Sequence, residues 1–192
     1  MTVIDLIRKR RTIRRFKQET IPYDTLISIV DCGRNAPSAM NKQPLEFILV
    51  DQEELLPKIF AQTRWAGYLP KEEGPPPPGQ QPTAYVVILV NSNLESERWC
   101  GHDIGAAVEN MILAALSQGI GSCWIGSVNR DEVASILHIP DNYRIDSILA
   151  LGYPDEQPVE IPAIDSIQYY KVDGVLHVPK RPFKDIFHHN KF

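Results

Sequence analysis

Residues 101–119, GHDIGAAVENMILAALSQG, constrain the fold more than any other stretch of the chain. Ile104, Ala106, Ala107, Val108, Met111, Ile112, Leu113, Ala115 and Leu116 occupy most of the circumference of one predicted helix. A helix that is apolar nearly all round has to be covered on most of its sides. The fold must therefore pack other elements around this one. Gly119 and Gly121 are expected to end it.

Strands and helices flank it without a regular alternation. Two helices come first. TVIDLIRKRR opens with Thr2 and has Asp5 three residues later, a capping-box spacing. Val3, Ile4 and Ile7 share one face of that helix. IPYDTLISIVDCGRNA starts a second helix at Pro22. APSAMNKQP then breaks the pattern and reads as a loop. LEFILVD and AYVVILV read as strands, the second fully buried. QEELLPKIFAQ between them is a surface helix that Pro57 limits. After the central helix come the short strand SCWIG and a helix capped by Asn129 and stopped at Pro140. YRIDSILALGYP is the next strand, IQYYKVDGVLHV a hairpin about Asp173-Gly174, and RPFKDIF a closing helix. The fold class expected is α+β, with helices packed around a mostly antiparallel sheet.

A chain of 192 residues reads as one domain, residues 1–192, with an apolar fraction of 43%. Within it, WAGYLPKEEGPPPPGQQPT (65–83) is a Pro-rich loop of unusual length, a functional rim or lid or a plain surface excursion. Pro75 to Pro78 are expected to be extended and exposed. Residues 160–192 form a C-terminal arm.

The charge is distributed unevenly. Six of the twenty Lys and Arg residues fall within RKRRTIRR (8–15), although the formal net charge is −4. An acidic chain with a pI near 5.7 argues against general nucleic-acid binding. A membrane-surface anchor wants aromatic residues interleaved with Lys on one helical face, and Phe16 alone does not supply that. No apolar run reaches the roughly 18 residues a spanning helix requires, so no membrane association is expected. The N-terminal residues are charged where a signal peptide needs its apolar stretch, so export is not expected. The cysteines (Cys32, Cys100, Cys123) are widely spaced, with no C-x-x-C. They signal neither a zinc site nor a disulfide framework, and a cytoplasmic location is expected.

Common catalytic signatures are missing: no G-x-S-x-G, H-E-x-x-H or P-loop occurs. No metal site is expected and no catalytic side chain is singled out. His102-Asp103 reads as a structural or capping pair. The basic cluster remains. In an extended RTIRRF, Arg10, Thr12 and Arg14 face one way and Arg11, Ile13 and Arg15 the other. Two guanidiniums flanking a hydroxyl suit a phosphate. Arg8, Lys9 and Arg15 read as a solvated fringe.

Four segments occur in the order and spacing of one family: RKRRTIRRF, APSAMNKQPLEFILV, DIGAAVENMILAALSQGIGSCWIGSV and LALGYPDEQP. Together they resemble the nitroreductase-like flavoproteins over nearly the whole chain. The resemblance implies an intertwined homodimer with FMN at each of two interface sites. Arg10, Arg11, Thr12 and Arg14 match its N-terminal FMN motif, with Thr12 in place of the usual Ser and Arg14 near the flavin pyrimidine. Alternation sets Arg11 on the far face, whereas the resemblance sets it at the flavin. Pro37, Ser38, Ala39 and Asn41 match the loop supplied by the partner subunit. Ala39 stands where a second Ser is common, so one hydroxyl contact is lost. Trp124, Ile125, Gly126 and Ser127 match the strand and turn whose amides lie near flavin N5 and O4, and Gly126 permits close backbone approach. Arg181, with Lys180 beside it, matches a C-terminal cation of the phosphate site.

The activity implied is an FMN-dependent oxidoreductase. NADH or NADPH is the reductant and a small molecule such as a nitroaromatic, quinone or enone the acceptor, in a ping-pong cycle. The chemistry is the flavin's, and the protein supplies binding, orientation and electrostatics. The alternatives are a specialised dehalogenating, flavin-fragmenting or azoline-oxidising member, or a non-catalytic flavin redox carrier.

Overall fold

The computed structural model describes residues 1–95 and 98–192. Helix α1 (Val3–Lys9) begins with the expected capping box: Asp5 N donates to Thr2 Oγ1 at 3.2 Å and Thr2 N donates to Asp5 Oδ2 at 2.9 Å. Helix α2 spans Tyr23–Arg34, and a 3-10 turn at Ala39–Asn41 follows in the loop. Then come β1 (Leu45–Val50), α3 (Leu56–Ala61, with Pro57 in its first turn) and β2 (Ala84–Asn91). The central helix is α4 (Cys100–Ser117), and Gly119 turns the chain out of it at φ +77°. Strand β3 (Gly121–Ile125), α5 (Arg130–Leu137) and β4 (Tyr143–Gly152) complete the main layers.

The four strands form an antiparallel sheet in the order β1-β2-β4-β3. Side chains alternate along β2, and so they supply two cores. Ala84, Val86, Ile88 and Val90 pack under α2 and α4. Tyr85, Val87 and Leu89 join Ile59 of α3, Val133 of α5 and Trp65 on the opposite face. Both faces are covered, which is why AYVVILV carries no polar alternation.

The arm forms a second, three-stranded sheet. Strand β5 (Val159–Pro162) pairs parallel with β7 (Val175–Lys180), and β6 (Tyr170–Val172) pairs antiparallel with β7. The hairpin turns at Asp173 (φ 49°) and Gly174 (φ 79°), the left-handed pair that a two-residue turn needs.

Three local expectations are corrected, and one apolar face is located. The RPFKDIF segment makes only a 3-10 turn at Phe183–Asp185, since Phe183 and Phe187 stack on each other at 4.8 Å and stay largely exposed, with no core face to hold a longer helix. Pro76 is buried beneath its exposed neighbours, so the proline run is not a free excursion. The Val3, Ile4 and Ile7 face of α1 is exposed at 65%, 60% and 51%. Finally, α4 is not covered all round: Gly105, Ala106, Glu109, Leu113 and Leu116 remain half-buried.

Candidate functional site

The basic cluster straddles a change of backbone. Helix α1 ends at Arg10, whose carbonyl-side dihedral (ψ 125°) sends the chain into extended form. Residues 12–17 then cross the open ends of β3 and β4. Thr12 bridges Ser122, with Ile13 N donating to Ser122 O at 2.9 Å. Lys17 N donates to Tyr153 O at 2.8 Å, and Phe16 bridges Pro154. Two glycines make room for this crossing. Gly121 and Gly152 are register partners. A Cβ on Gly121 would lie 2.8 Å from Ile13 Cγ1, and one on Gly152 would lie 2.8 Å from Phe16 Cδ1. The segment is seated by burying Ile13 and Phe16, and its arginines are left at the surface of the seat.

Arg10 and Arg11 rim one cavity of about 380 Å³ with Lys9, Ile112, Gly121 and Glu156. That volume is ordinary for a small-molecule site. Simple alternation fails here, because Arg10 is still the cap of a helix and only Arg11 begins the extended run. Two of the cations meet carboxylates that are distant in sequence, and a third carboxylate meets the Arg14 backbone. Arg10 Nε is 3.7 Å from Glu109 Oε1 on α4. Arg11 pairs with Glu160 on β5. Arg14 N donates to Glu156 Oε1, and its guanidinium lies 4.9 Å over the Tyr169 ring. Arg14 Nε is buried with no protein partner, an orphaned donor next to this cluster. Burial pushes the Cys123 thiol up to about 11, with the nearby Arg14 charge opposing the rise.

Arg15 is not a solvated fringe. It donates through Nη2 to Glu73 O at 2.6 Å and through Nη1 to Gly74 O at 3.4 Å, so it clamps the Pro-rich loop. Burial pulls its pKa down, and Glu156 opposes that. Arg8 and Lys9 are exposed.

The remaining candidates lie elsewhere in the chain. Pro37 and Ser38 line a separate cavity of about 160 Å³ between α2 and α4. Ala39 N donates to the buried Asp103 Oδ1 at 3.0 Å, and Ser38 Oγ accepts from Gln43 N at 3.0 Å. Met40, Asn41 and Gln43 all have positive φ, and Asn41 is exposed. Ile125 is buried in the lower core at the end of β3. Gly126 lines a third cavity of about 580 Å³ with Thr63, Arg64, Ser127, Asn129 and Arg130, and its carbonyl accepts from Arg130 Nη2 at 3.1 Å. Arg181 follows β7, donates to Asp185 O at 3.0 Å and lines a fourth cavity with Tyr68. Among the described residues, no hydrogen bond or ion pair joins Arg181 to Arg10, Arg11 or Arg14.

Within one chain, then, only the N-terminal members converge. Sequence reasoning missed their acidic counterparts: Glu109 and Glu156 lie within the quoted segments without a signal that singles them out, Glu160 lies outside them, and they stand up to 149 residues from the arginine they face. It missed Tyr169 for the same reason. Asp103 carried a signal, a lone acid in the first turn of an apolar helix, and its partner loop did not.

Known proteins agree with this architecture. A model of the nitroreductase family matches residues 7–153. A protein of Archaeoglobus fulgidus, provisionally named NADH dehydrogenase/NAD(P)H nitroreductase, is 32% identical over 80% of this chain and 86% of its own length. The crystal structure of a nitroreductase family protein from Clostridium novyi NT superimposes with a TM-score of 0.69, at 29% identity, over 81% of this chain and 86% of that one. A structure of oxidised iodotyrosine deiodinase bound to FMN and 3-iodo-L-tyrosine gives a TM-score of 0.70 at 26% identity, over 89% of this chain and 100% of that one. With this sheet order, this N-terminal arginine segment and a family match over most of its length, the chain belongs to the nitroreductase family.

Proposed function

We propose that the protein is an FMN-dependent oxidoreductase working as a homodimer. NADH or NADPH is its reductant and a small nitroaromatic, quinone or enone its acceptor. The observation that carries the reading is the seat of the arginine segment: a cavity rimmed by Arg10 and Arg11, with a buried unpartnered Arg14 Nε beside it, in a chain of this family. Bound FMN would supply the redox chemistry, taking a hydride at N5 and passing two electrons to the acceptor in a second half-reaction.

The chain's own residues bind and tune. Arg10, Arg11 and Thr12 would hold the phosphate, since guanidinium forks and a hydroxyl suit its oxygens. Arg14 would offer its orphaned Nε–H to the pyrimidine edge. Glu156 and Glu160 offset part of the positive charge of the cluster. Ile125 and Gly126 would present backbone to the flavin ring at the end of β3, where a Cβ added to Gly126 meets no atom within 4 Å. Pro37, Ser38, Ala39 and Asn41 lie apart from the arginine cavity in one chain, which suits a loop that serves the second subunit's site. Arg181 on the arm 160–192 would likewise complete a site across the interface. Residues 1–192 act as one domain, and the loop 65–83 borders the acceptor.

The test uses the purified protein and its flavin. Anaerobic NADH or NADPH should bleach the visible flavin band, and a nitroaromatic or quinone should restore it. Arg10→Ala combined with Arg181→Ala should lose FMN on dialysis. A yellow protein that neither nicotinamide bleaches, or a double variant with unchanged FMN affinity, sinks this reading. The likeness to the iodotyrosine deiodinase structure supports a second reading, reductive dehalogenation at the same site. It predicts halide release from a halophenol, which nitroreduction does not.

A further inference from the structure

A further cavity adjoins the one that Gly126 lines. A space of about 650 Å³ is lined by Thr63, Arg64, Trp65, Leu69, Lys71 and Ser127. It shares Thr63, Arg64 and Ser127 with the cavity that Gly126 lines, so the two are neighbours. Arg64 N donates to Ser127 O at 3.0 Å, and Thr63 bridges Val128, which fix the wall to the turn after β3.

The wall is rigid. Trp65 Nε1 donates to Thr63 Oγ1 at 2.8 Å, Thr63 Oγ1 donates to Phe60 O at 2.7 Å, and the Trp65 and Phe60 ring centroids are 5.9 Å apart. The rim is folded back on itself. A Cβ on Gly74 would lie 2.8 Å from Trp65 O, and Arg15 holds the carbonyls of Glu73 and Gly74. Ala66 carries a φ of 46°, a left-handed conformation that costs a non-glycine residue free energy and persists only where surroundings impose it.

The charge on this rim is one-sided. The run Lys71-Glu72-Glu73 looks balanced in sequence, but the fold separates it. Glu73 turns to Lys171, 3.6 Å away, and only Lys71 lines the cavity. Arg64 and Lys71 are its two cationic lining residues, and no carboxylate belongs to that lining. Among the described residues neither cation forms an ion pair, whereas Arg10, Arg11, Arg34 and Arg144 all do. A pocket with an aromatic wall and two cations without a protein counter-charge suits a planar ring bearing an anion.

We propose that this cavity is the acceptor subsite and that Arg64 and Lys71 select planar aromatic carboxylates over their neutral analogues. The proposal rests on the reading that the flavin lies beside Gly126. Arg64 and Lys71 bind the carboxylate, and Trp65 and Leu69 contact the ring. No bond is made or broken by them.

Calorimetric titration of the purified protein with benzoate, benzyl alcohol and NADP⁺ tests it. Wild type should bind benzoate at least tenfold more tightly than benzyl alcohol. Arg64→Gln with Lys71→Gln should remove that difference and leave benzyl alcohol binding within twofold. In the yellow protein, 4-nitrobenzoate should lose at least tenfold in kcat/KM in the double variant, and 4-nitrobenzyl alcohol should not. Equal binding of benzoate and benzyl alcohol by wild type overturns the proposal. So does benzoate binding that the double variant leaves intact. A loss confined to NADP⁺ also overturns it, by assigning the cations to the reductant. A colourless protein would sink the flavin reading and with it the acceptor role, while the benzoate titration would still decide whether Arg64 and Lys71 select a carboxylate.

Discussion

At the scale of single residues, the site depends on atoms that are absent. The arginines of RKRRTIRRF announce themselves by charge, but their positions are set by hydrogen atoms at Gly121 and Gly152. Neither glycine is at positive φ, so backbone freedom is not the reason for them. The reason is space, because Ile13 and Phe16 lie where Cβ atoms would be. Gly121→Ala should push the arm off β3, at about 1–3 kcal/mol, the usual cost of overpacking a filled site. The urea midpoint should fall, and FMN should bind more weakly because Arg10, Arg11 and Arg14 move with the arm. Gly101→Ala is the control: no atom lies within 4 Å of its added Cβ, and it sits in the first turn of α4. That variant should be neutral or slightly stabilising, since alanine is the better helix former. If Gly121→Ala behaved like the control, the close approach would not be seating the arm. From sequence, Gly121 reads only as the end of a helix. A close contact 108 positions away, between Ile13 and Gly121, leaves no local trace. The same limit hid Glu109, Glu156 and Glu160, whereas the hydroxyl and cation spacing of the motif itself was open to view.

At the scale of elements, legibility follows how local the cause is. The capping box of α1, the Asp173-Gly174 turn and the glycine end of α4 depend on neighbours within four residues, and the sequence carries all three. The closing helix depends on burial that no neighbour reports, and it shrank to one turn with Phe183 and Phe187 exposed. The loop 37–43 is intermediate. Its prolines and Asn predict a break, but three positive-φ residues need an external hold. Asp103 supplies it from the first turn of α4, accepting from Ala39 N while buried at 6% exposure. The helix dipole favours a carboxylate at that end. Asp103→Ala would leave the Ala39 amide without its acceptor, at about 1–3 kcal/mol. Asp103→Asn keeps an acceptor oxygen and should cost less. Proteolysis within 37–43 should accelerate in the alanine variant and stay near wild type in the asparagine one. Equal cleavage of all three proteins would show that the loop is held by something other than Asp103.

At the scale of the whole molecule, the proposed homodimer accounts for apolar surface that one chain leaves uncovered. Val3, Ile4 and Ile7 project from α1, and the half-buried stripe of Ala106, Leu113 and Leu116 runs along α4, which α1 contacts. Phe183, Ile186 and Phe187 add exposed area on the arm. Large apolar residues left exposed in groups like these are what interaction surfaces use. The all-round hydrophobicity of GHDIGAAVENMILAALSQG was the first constraint on the fold, and the single chain satisfies only part of it. The cofactor candidates show the same incompleteness, since Pro37–Asn41 and Arg181 stand away from Arg10 and Arg11. Both deficits are met if a second copy covers the stripe and brings its loop to the arginine cavity. Ile4→Glu with Ile7→Glu sets two carboxylates on the exposed face, where they disturb nothing buried in the single chain. Charges desolvated without partners at an interface are strongly unfavourable. Light scattering should therefore report a dimer for wild type and a monomer for the double variant, with thermal stability of the sheet largely kept. The monomer should also lose FMN on dialysis, although every arginine of the cavity is unchanged. A monomeric wild type would remove the basis of the shared site, and so would a monomeric variant that stays yellow with wild-type affinity. Loss of flavin with loss of the partner, and with no residue of the arginine cavity altered, is the outcome that only a site built from two chains produces.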